Sequence, residues 1–174
     1  MYVNDVVTRF GEEFRFGSFL SEDKELVFRE FLKRIRPGVV LEIGTCYGLS
    51  SAIISDYADR VYTIDITYFG QRQPIWDFLA VGNKVIPFVT PNVGKQLLSL
   101  LLTYDFAFID GDHSFEAVKF DWENISLYCD RILFDDANKD FPGVLDFVNT
   151  ITGWKKEIIG NPAMGLVYFE KEKT

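Results

Sequence analysis

The sequence predicts an α/β fold: a mostly parallel sheet of seven strands, helices on both faces, and an antiparallel hairpin strand at the end. Three observations carry this expectation. Short apolar runs alternate with segments of helical period from Ser21 onward, the first run breaks at a glycine and passes directly into a helix, and the last two runs are joined by a turn. Strands buried on both faces read as continuous apolar runs, and helical crossovers between them make neighbours parallel.

Residues 1–20 hold Tyr2, Phe10, Phe14, Phe16 and Phe19 without a clean period, which suggests a lid folded over something apolar rather than an independent element. Ser21 caps a leading helix over 21–36. Glu22, Asp23 and Glu25 fill its first turn, Val27, Phe28, Phe31, Leu32 and Ile35 form its stripe, and Lys33, Arg34 and Arg36 close it before Pro37-Gly38. The first strand is 39–43, followed by a helix over 49–58 in which Leu49, Ala52, Ile53 and Tyr57 keep helical spacing. Strands are expected at 61–66, 84–89, 105–109 and 131–134. Helices are expected at 93–102, at 114–127 with Phe115, Val118, Trp122 and Ile125 on one side, and at 142–151 with Pro142 in the first turn. Strand-like runs at 155–159 and 166–170, joined by the turn 160–165, make the hairpin. One domain over 1–174 is expected, with 37–174 as its core. In such sheets a ligand sits beyond the carboxyl ends of the strands.

The chain of 174 residues is 48% hydrophobic, enough for a sizeable core. Its net charge of -8 and pI near 4.7 disfavour nucleic acid, anionic lipid and polyanionic substrates as partners, leaving a small-molecule acceptor. No run approaches the roughly 20 apolar residues of a membrane span. The first residues show neither an h-region nor a cleavage site, so a soluble cytoplasmic protein without a membrane partner is expected. Cys46 and Cys129 are too few for a disulfide framework and read as reduced thiols. A homo-oligomer is left open.

In Leu41-Glu42-Ile43-Gly44-Thr45-Cys46-Tyr47-Gly48-Leu49-Ser50, two glycines bracket a strand-to-helix turn where a ligand can approach the backbone. The spacing E-x-G-x-x-x-G is not the G-x-G-x-x-G that admits a pyrophosphate, which argues against NAD. Asp65 closes the second strand, about 20 residues beyond Gly44, as one turn, one helix and one strand of a nucleoside site require. The turn resembles the first motif of class I methyltransferases, and Val61-Tyr62-Thr63-Ile64-Asp65-Ile66 resembles their second. The resemblance implies a Rossmann-like fold and S-adenosylmethionine as cofactor. It implies that Glu42, Gly44, Thr45, Tyr47, Gly48 and Ser50 bind the donor together with Asp65, Ile66, Asp110 and His113. Asp65 would take the ribose hydroxyls and Glu42 the amino group. The competing reading is that the glycines only close a tight turn and Asp65 caps the next segment.

Asp110, Asp112 and His113 crowd the end of the fourth strand, and Asp135 and Asp136 end the fifth; neighbouring strands lie about 4.8 Å apart. Asp110, Asp135 and Asp136 meeting at one sheet edge repel one another unless a cation or protons intervene, and all-oxygen sites suit Mg²⁺, Mn²⁺ or Ca²⁺. His113, the single histidine, is the natural base for a substrate hydroxyl; Arg72 and Lys139 are less persuasive. The stretch Ile109-Asp110-Gly111-Asp112-His113-Ser114-Phe115-Glu116 resembles methyltransferase family 24, which is similar to the catechol and caffeoyl-coenzyme A O-methyltransferases. There an aspartate after the fourth strand and an Asp-Asn pair after the fifth bind magnesium, and a lysine is the base. The resemblance implies that Asp110, Asp135 and Asp136 are the metal ligands and that His113 with Asp110 is catalytic. Asp136 stands for the asparagine, His113 for the lysine, and Tyr128-Cys129-Asp130 for a glycine pair. Asp112 or Ser114 as helix cap and Asp135 or Asp136 as turn cap are the bland alternatives.

Methyl transfer to a small-molecule oxygen with a divalent metal is therefore the leading expectation. A metal-independent N- or O-methyltransferase and a non-catalytic adenosyl-ligand-binding protein are the alternatives. Tyr47, Tyr68, Phe69, Trp76 and Met164 fall at expected loop positions near the ligand face, where flat side chains can stack on a base or pack the core.

Overall fold

The structure, a computed structural model, describes residues 1–15, 21–91 and 104–172. The helix expected over 93–102, Phe16 and Phe19 lie outside the described residues. The elements in chain order are α1 (Tyr2–Phe10), α2 (Glu22–Ile35), β1 (Val39–Ile43), α3 (Leu49–Ser55), β2 (Arg60–Asp65), α4 (Arg72–Phe78), β3 (Val85–Val89) and β4 (Phe106–Ile109). They continue with α5 (Phe115–Ile125), β5 (Arg131–Phe134), α6 (Pro142–Val148), β6 (Trp154–Ile158) and β7 (Val167–Lys171).

The seven strands form one sheet in the order β3-β2-β1-β4-β5-β7-β6. The first five are parallel, and β7 runs antiparallel between β5 and β6. The expected fold class is the one observed. Strand order reverses between β1 and β4, so a crevice opens at their carboxyl ends, the usual place for a ligand in such a sheet.

Side chains alternate across the sheet and build a core on each face. Phe106 and Phe108 of β4 pack with Phe28, Phe31 and Leu32 of α2 and with Leu49 and Ile53 of α3. Ala107 and Ile109 pack on the opposite face with Val118 and Ile125 of α5 and Val144 and Phe147 of α6. Each fully buried phenylalanine contributes roughly 2–3 kcal/mol by area, so α2 is held firmly across β4.

The caps explain the boundaries. Ser21 Oγ accepts from the Lys24 N–H at 3.1 Å, and Ser114 Oγ accepts from Ala117 N–H at 3.4 Å. Asp112 turns back to accept from Ser114 N–H at 2.8 Å, so capping is realised at that corner.

Two local expectations change. Part of the stretch read as a lid is helix α1, with Val3 and Val6 buried. Its amino end is capped from a distance: Tyr2 N–H and Val3 N–H donate to the two Glu25 carboxylate oxygens at 2.9 and 3.0 Å. A cap 22 residues away leaves no local signature, so nothing near Tyr2 marks the start of a helix. Trp76, expected in a loop, is buried in α4, where its Nε1–H donates to Gly48 O at 2.8 Å.

Candidate active site

The turn after β1 is a tight fit. Gly44 has φ +93, its N–H donates to Ile64 O at 2.9 Å, and a Cβ there would overlap the carbonyl oxygen of Asp110. Gly48 has φ +81, and a Cβ there would run into the Trp76 indole. Cys46, between them, is held at φ 45, a conformation a non-glycine residue rarely adopts. Thr45 and Thr63 share a hydroxyl hydrogen bond of 2.6 Å beneath the turn.

Asp65 organises that turn. Its Oδ2 accepts from the N–H groups of Thr45 and Cys46 at 3.1 and 2.7 Å and from Arg72 Nη2 at 3.2 Å; its Oδ1 accepts from Thr67 N–H at 2.9 Å. A carboxylate offers about four lone-pair sites, so Oδ1 keeps capacity for a further donor. Arg72 is 1% exposed and ties the assembly together, its Nε donating to Cys46 O at 2.9 Å.

A cavity of about 680 Å³ opens at the carboxyl ends of the strands. Gly44, Asp65, Ile66 and Asp110 wall it, with Phe69 and Pro91 on one side and Ala117, Phe120 and Asp121 of α5 on another. That size is in the range of cofactor clefts. Tyr47 stands beside it, its ring 5.3 Å from Phe69 and 4.9 Å from Phe14. Glu42, Thr45, Gly48 and Ser50 support the turn from behind. Glu42 is fully buried, accepts from Ser51 Oγ, and leaves Oε1 without a hydrogen-bond partner among the described residues. Burial pushes its pKa up, against the pull of hydrogen bonds from Ser50, Ser51 and Thr63.

Asp121 is 6% exposed, and burial, helped by Asp112, pushes its pKa up to about 7. Below the ordinary value of 3.8 both folded and unfolded chains hold the proton. Between there and about 7 the unfolded chain releases it first, so stability falls as pH rises through this window. Asp121→Asn is therefore expected to be more stable than the parent at pH 8 by on the order of 2 kcal/mol, or about 4–8 °C in Tm, and to match it at pH 4. Thermal melts at the two pH values check this; equal shifts at both would contradict it.

The second cluster lies at the ends of β4 and β5. His113 Nε2 stands 3.6 Å from Asp110 Oδ1 and 3.4 Å from Asp136 Oδ2. Neither contact is a formed hydrogen bond, and Nε2 is buried without a partner among the described residues. Phe141 fixes the ring edge-on at 4.4 Å. Asp110 raises the His113 pKa, against burial. Burial and then Asp135 push the Asp110 pKa up, against the pull of His113 and Lys24. Asp136 adopts φ 56, which aims its carboxylate back toward His113.

Asp135 goes elsewhere. Its Oδ1 meets Lys24 Nζ at 2.6 Å, and the same ammonium reaches Asp136 Oδ1 at 3.3 Å. Burial opposes the charge on Lys24, but the two carboxylates outweigh it and hold its pKa above the usual lysine value. Of the three carboxylates expected around a metal, Asp110 and Asp136 thus come together with His113, their ligand atoms within 4.8 Å, whereas Asp135 pairs with lysine. Asp136 shares its other oxygen with an ammonium, and the third group is an imidazole, so the set is not the oxygen-only Mg²⁺, Mn²⁺ or Ca²⁺ site expected.

Three residues that shape the site are not marked as such by motif or spacing. Lys24 leaves a signal: a basic residue in the first turn of a helix opposes the dipole. Asp121 leaves one too, since it sits between Val118 and Ile125 on the apolar stripe of α5. Arg72 leaves none, because its partners belong to other elements.

Fold and site together define a class I methyltransferase: the strand order, the glycine turn after β1, the acid closing β2 and the open crevice between them. The sequence profile of a methyltransferase domain matches residues 41–137, and the chain belongs to that family of methyl-transferring enzymes. A candidate caffeoyl-CoA O-methyltransferase from Staphylococcus aureus aligns with TM-score 0.77 and 17% identity, over 97% of this chain and 91% of that one. SAH-bound methyltransferase PaMTH1 from Podospora anserina aligns with TM-score 0.72 and 15% identity, over 99% and 86%. An O-methyltransferase from Bacillus cereus in complex with SAH aligns with TM-score 0.69 and 16% identity, over 87% and 82%. At these identities the likeness is one of fold. None of the curated proteins matches the chain in sequence. Among the described residues, no helix is long and apolar enough to cross a membrane.

Proposed function

We propose that the protein transfers a methyl group from S-adenosylmethionine to a hydroxyl oxygen of a small molecule. The observation that carries this reading is a single open cavity walled by Gly44, Asp65 and Asp110, so that the nucleoside-gripping end and the acidic end face one space. The ribose hydroxyls would donate to Asp65 Oδ1, the base would lie between Ile66 and the α5 residues Ala117 and Phe120, and the sulfonium would approach Asp110. An acidic wall suits a cationic sulfur. The adenosyl ligands bound by the Podospora and Bacillus neighbours support the donor assignment.

In the transfer, the acceptor oxygen attacks the methyl carbon as the carbon–sulfur bond breaks. Sulfur keeps the electron pair, leaving S-adenosylhomocysteine, and the hydroxyl proton passes by way of Asp110, which lines the cavity, to His113 Nε2 behind it. The protein supplies orientation and a proton acceptor, which are the terms a methyl transfer needs most. Asp110 and Asp136 flank the imidazole and stabilise the imidazolium that forms.

Calorimetry is the test. S-adenosylhomocysteine is expected to bind and NAD not to, and Asp65→Asn should weaken S-adenosylhomocysteine by roughly 10–100-fold, the worth of charge-assisted hydrogen bonds. Unchanged affinity in that variant would remove the donor assignment. Donor binding with no labelled product over a broad panel of hydroxylated small molecules would replace catalysis by ligand binding.

A further inference from the structure

The carboxylate cluster at the ends of β4 and β5 contains a cation supplied by the chain itself. Phe28 packs on Phe108 with ring centroids 5.1 Å apart, and Phe31 packs on Phe106 at 6.0 Å, which lays α2 across β4. Lys24 lies one turn before Phe28 and so overhangs the strand ends. Its side chain is 8% exposed and its Nζ stands 2.6 Å from Asp135 and 3.3 Å from Asp136. The helix dipole disfavours an ammonium in this first turn, so the carboxylates are what hold it there.

We propose that Lys24 is a positioning residue that takes the place a divalent cation would fill in this cluster, so that the protein holds its acceptor groups in order without a bound metal. An ion coordinated by Asp135 Oδ1 or by either oxygen of Asp136 would sit roughly 2.1–2.6 Å from a carboxylate that Lys24 already holds. It would then lie next to the ammonium, where like charges repel strongly because little water screens them. Expelling Lys24 is no remedy, since its side chain is 8% exposed and its ammonium would give up both carboxylate partners. The ammonium also leaves one oxygen of Asp136 turned to His113, which sets the imidazole for the acceptor. The consequence for activity rests on the methyl-transfer reading, while the metal-binding consequence does not.

The test uses the full chain with Mn²⁺ as probe, followed by paramagnetic resonance, and methyl transfer measured with and without a chelator. The parent protein is expected to bind no stoichiometric Mn²⁺ and to change rate by less than about twofold on chelation. Lys24→Met, which removes the charge and keeps the bulk, is expected to gain Mn²⁺ affinity by at least about tenfold, a readout that a merely structural lysine would not move. Stoichiometric Mn²⁺ on the parent protein, or turnover lost to the chelator, overturns the inference, and both readings are available even if the variant does not fold. A folded Lys24→Met that gains no affinity overturns it as well. Failure of the parent to bind S-adenosylhomocysteine would instead strike the methyl-transfer reading and leave the Mn²⁺ result to stand.

Discussion

Gly44→Ala is expected to abolish S-adenosylhomocysteine binding and to destabilise the protein by more than about 4 kcal/mol, a loss outside the usual range for single substitutions. Two effects add. At φ +93 any L side chain is strained, and the new Cβ would occupy the position of the Asp110 carbonyl oxygen, which is backbone and cannot rotate away. Relief requires β1 and β4 to part at the strand ends where Ile43 O accepts from Asp110 N–H at 2.8 Å. That movement opens the floor of the cavity and drags the Asp65 oxygens off the turn. Calorimetry and denaturant melts on the variant check both parts; an alanine that binds the ligand as the parent does would mean that the turn has room the structure does not show.

His113→Ala is expected to lower kcat by roughly 10²–10⁴-fold, the usual worth of a positioned general base, while S-adenosylhomocysteine affinity changes by less than about threefold. The separation follows from placement. Gly44, Asp65 and Ile66 wall the cavity, but His113 stands behind Asp110 with its Nε2 turned between two carboxylates. A base acts on the acceptor alone, so rate and donor affinity come apart. Equal loss of both would make the imidazole part of the donor site, and no loss of rate would assign the proton to another group.

Much of the site is legible in the sequence because the chain carries its signals locally. Glycines at 44 and 48 are demanded by a turn too tight for a side chain, and Asp65 follows at the distance that one helix and one strand impose. Asp110 and His113 sit within four residues of each other beyond a four-residue apolar strand, where an uncharged core would otherwise continue. Asp135 and Asp136 are legible as a pair but not in their separate aims. A positive φ at 136 lets Asp136 reach both His113 and Lys24 while Asp135 meets Lys24 alone, and adjacent residues of one type give no hint of which goes where. Arg72 is unpersuasive as a base because its use is to hold Asp65 against the turn, a role visible only once α4 is packed.

By itself, then, the order of residues determined the alternation of strands and helices, the parallel sheet with its antiparallel β7, the glycine turn and the acid that faces it. Each of these depends on periodicity and backbone constraint over a few residues, or on the count of residues in one crossover. Tertiary structure alone decided that Glu25 caps α1 from 22 residues away and that Lys24 meets Asp136 across 112. Such pairings depend on the angle at which α2 lies on the sheet, which side-chain packing sets and no local pattern encodes.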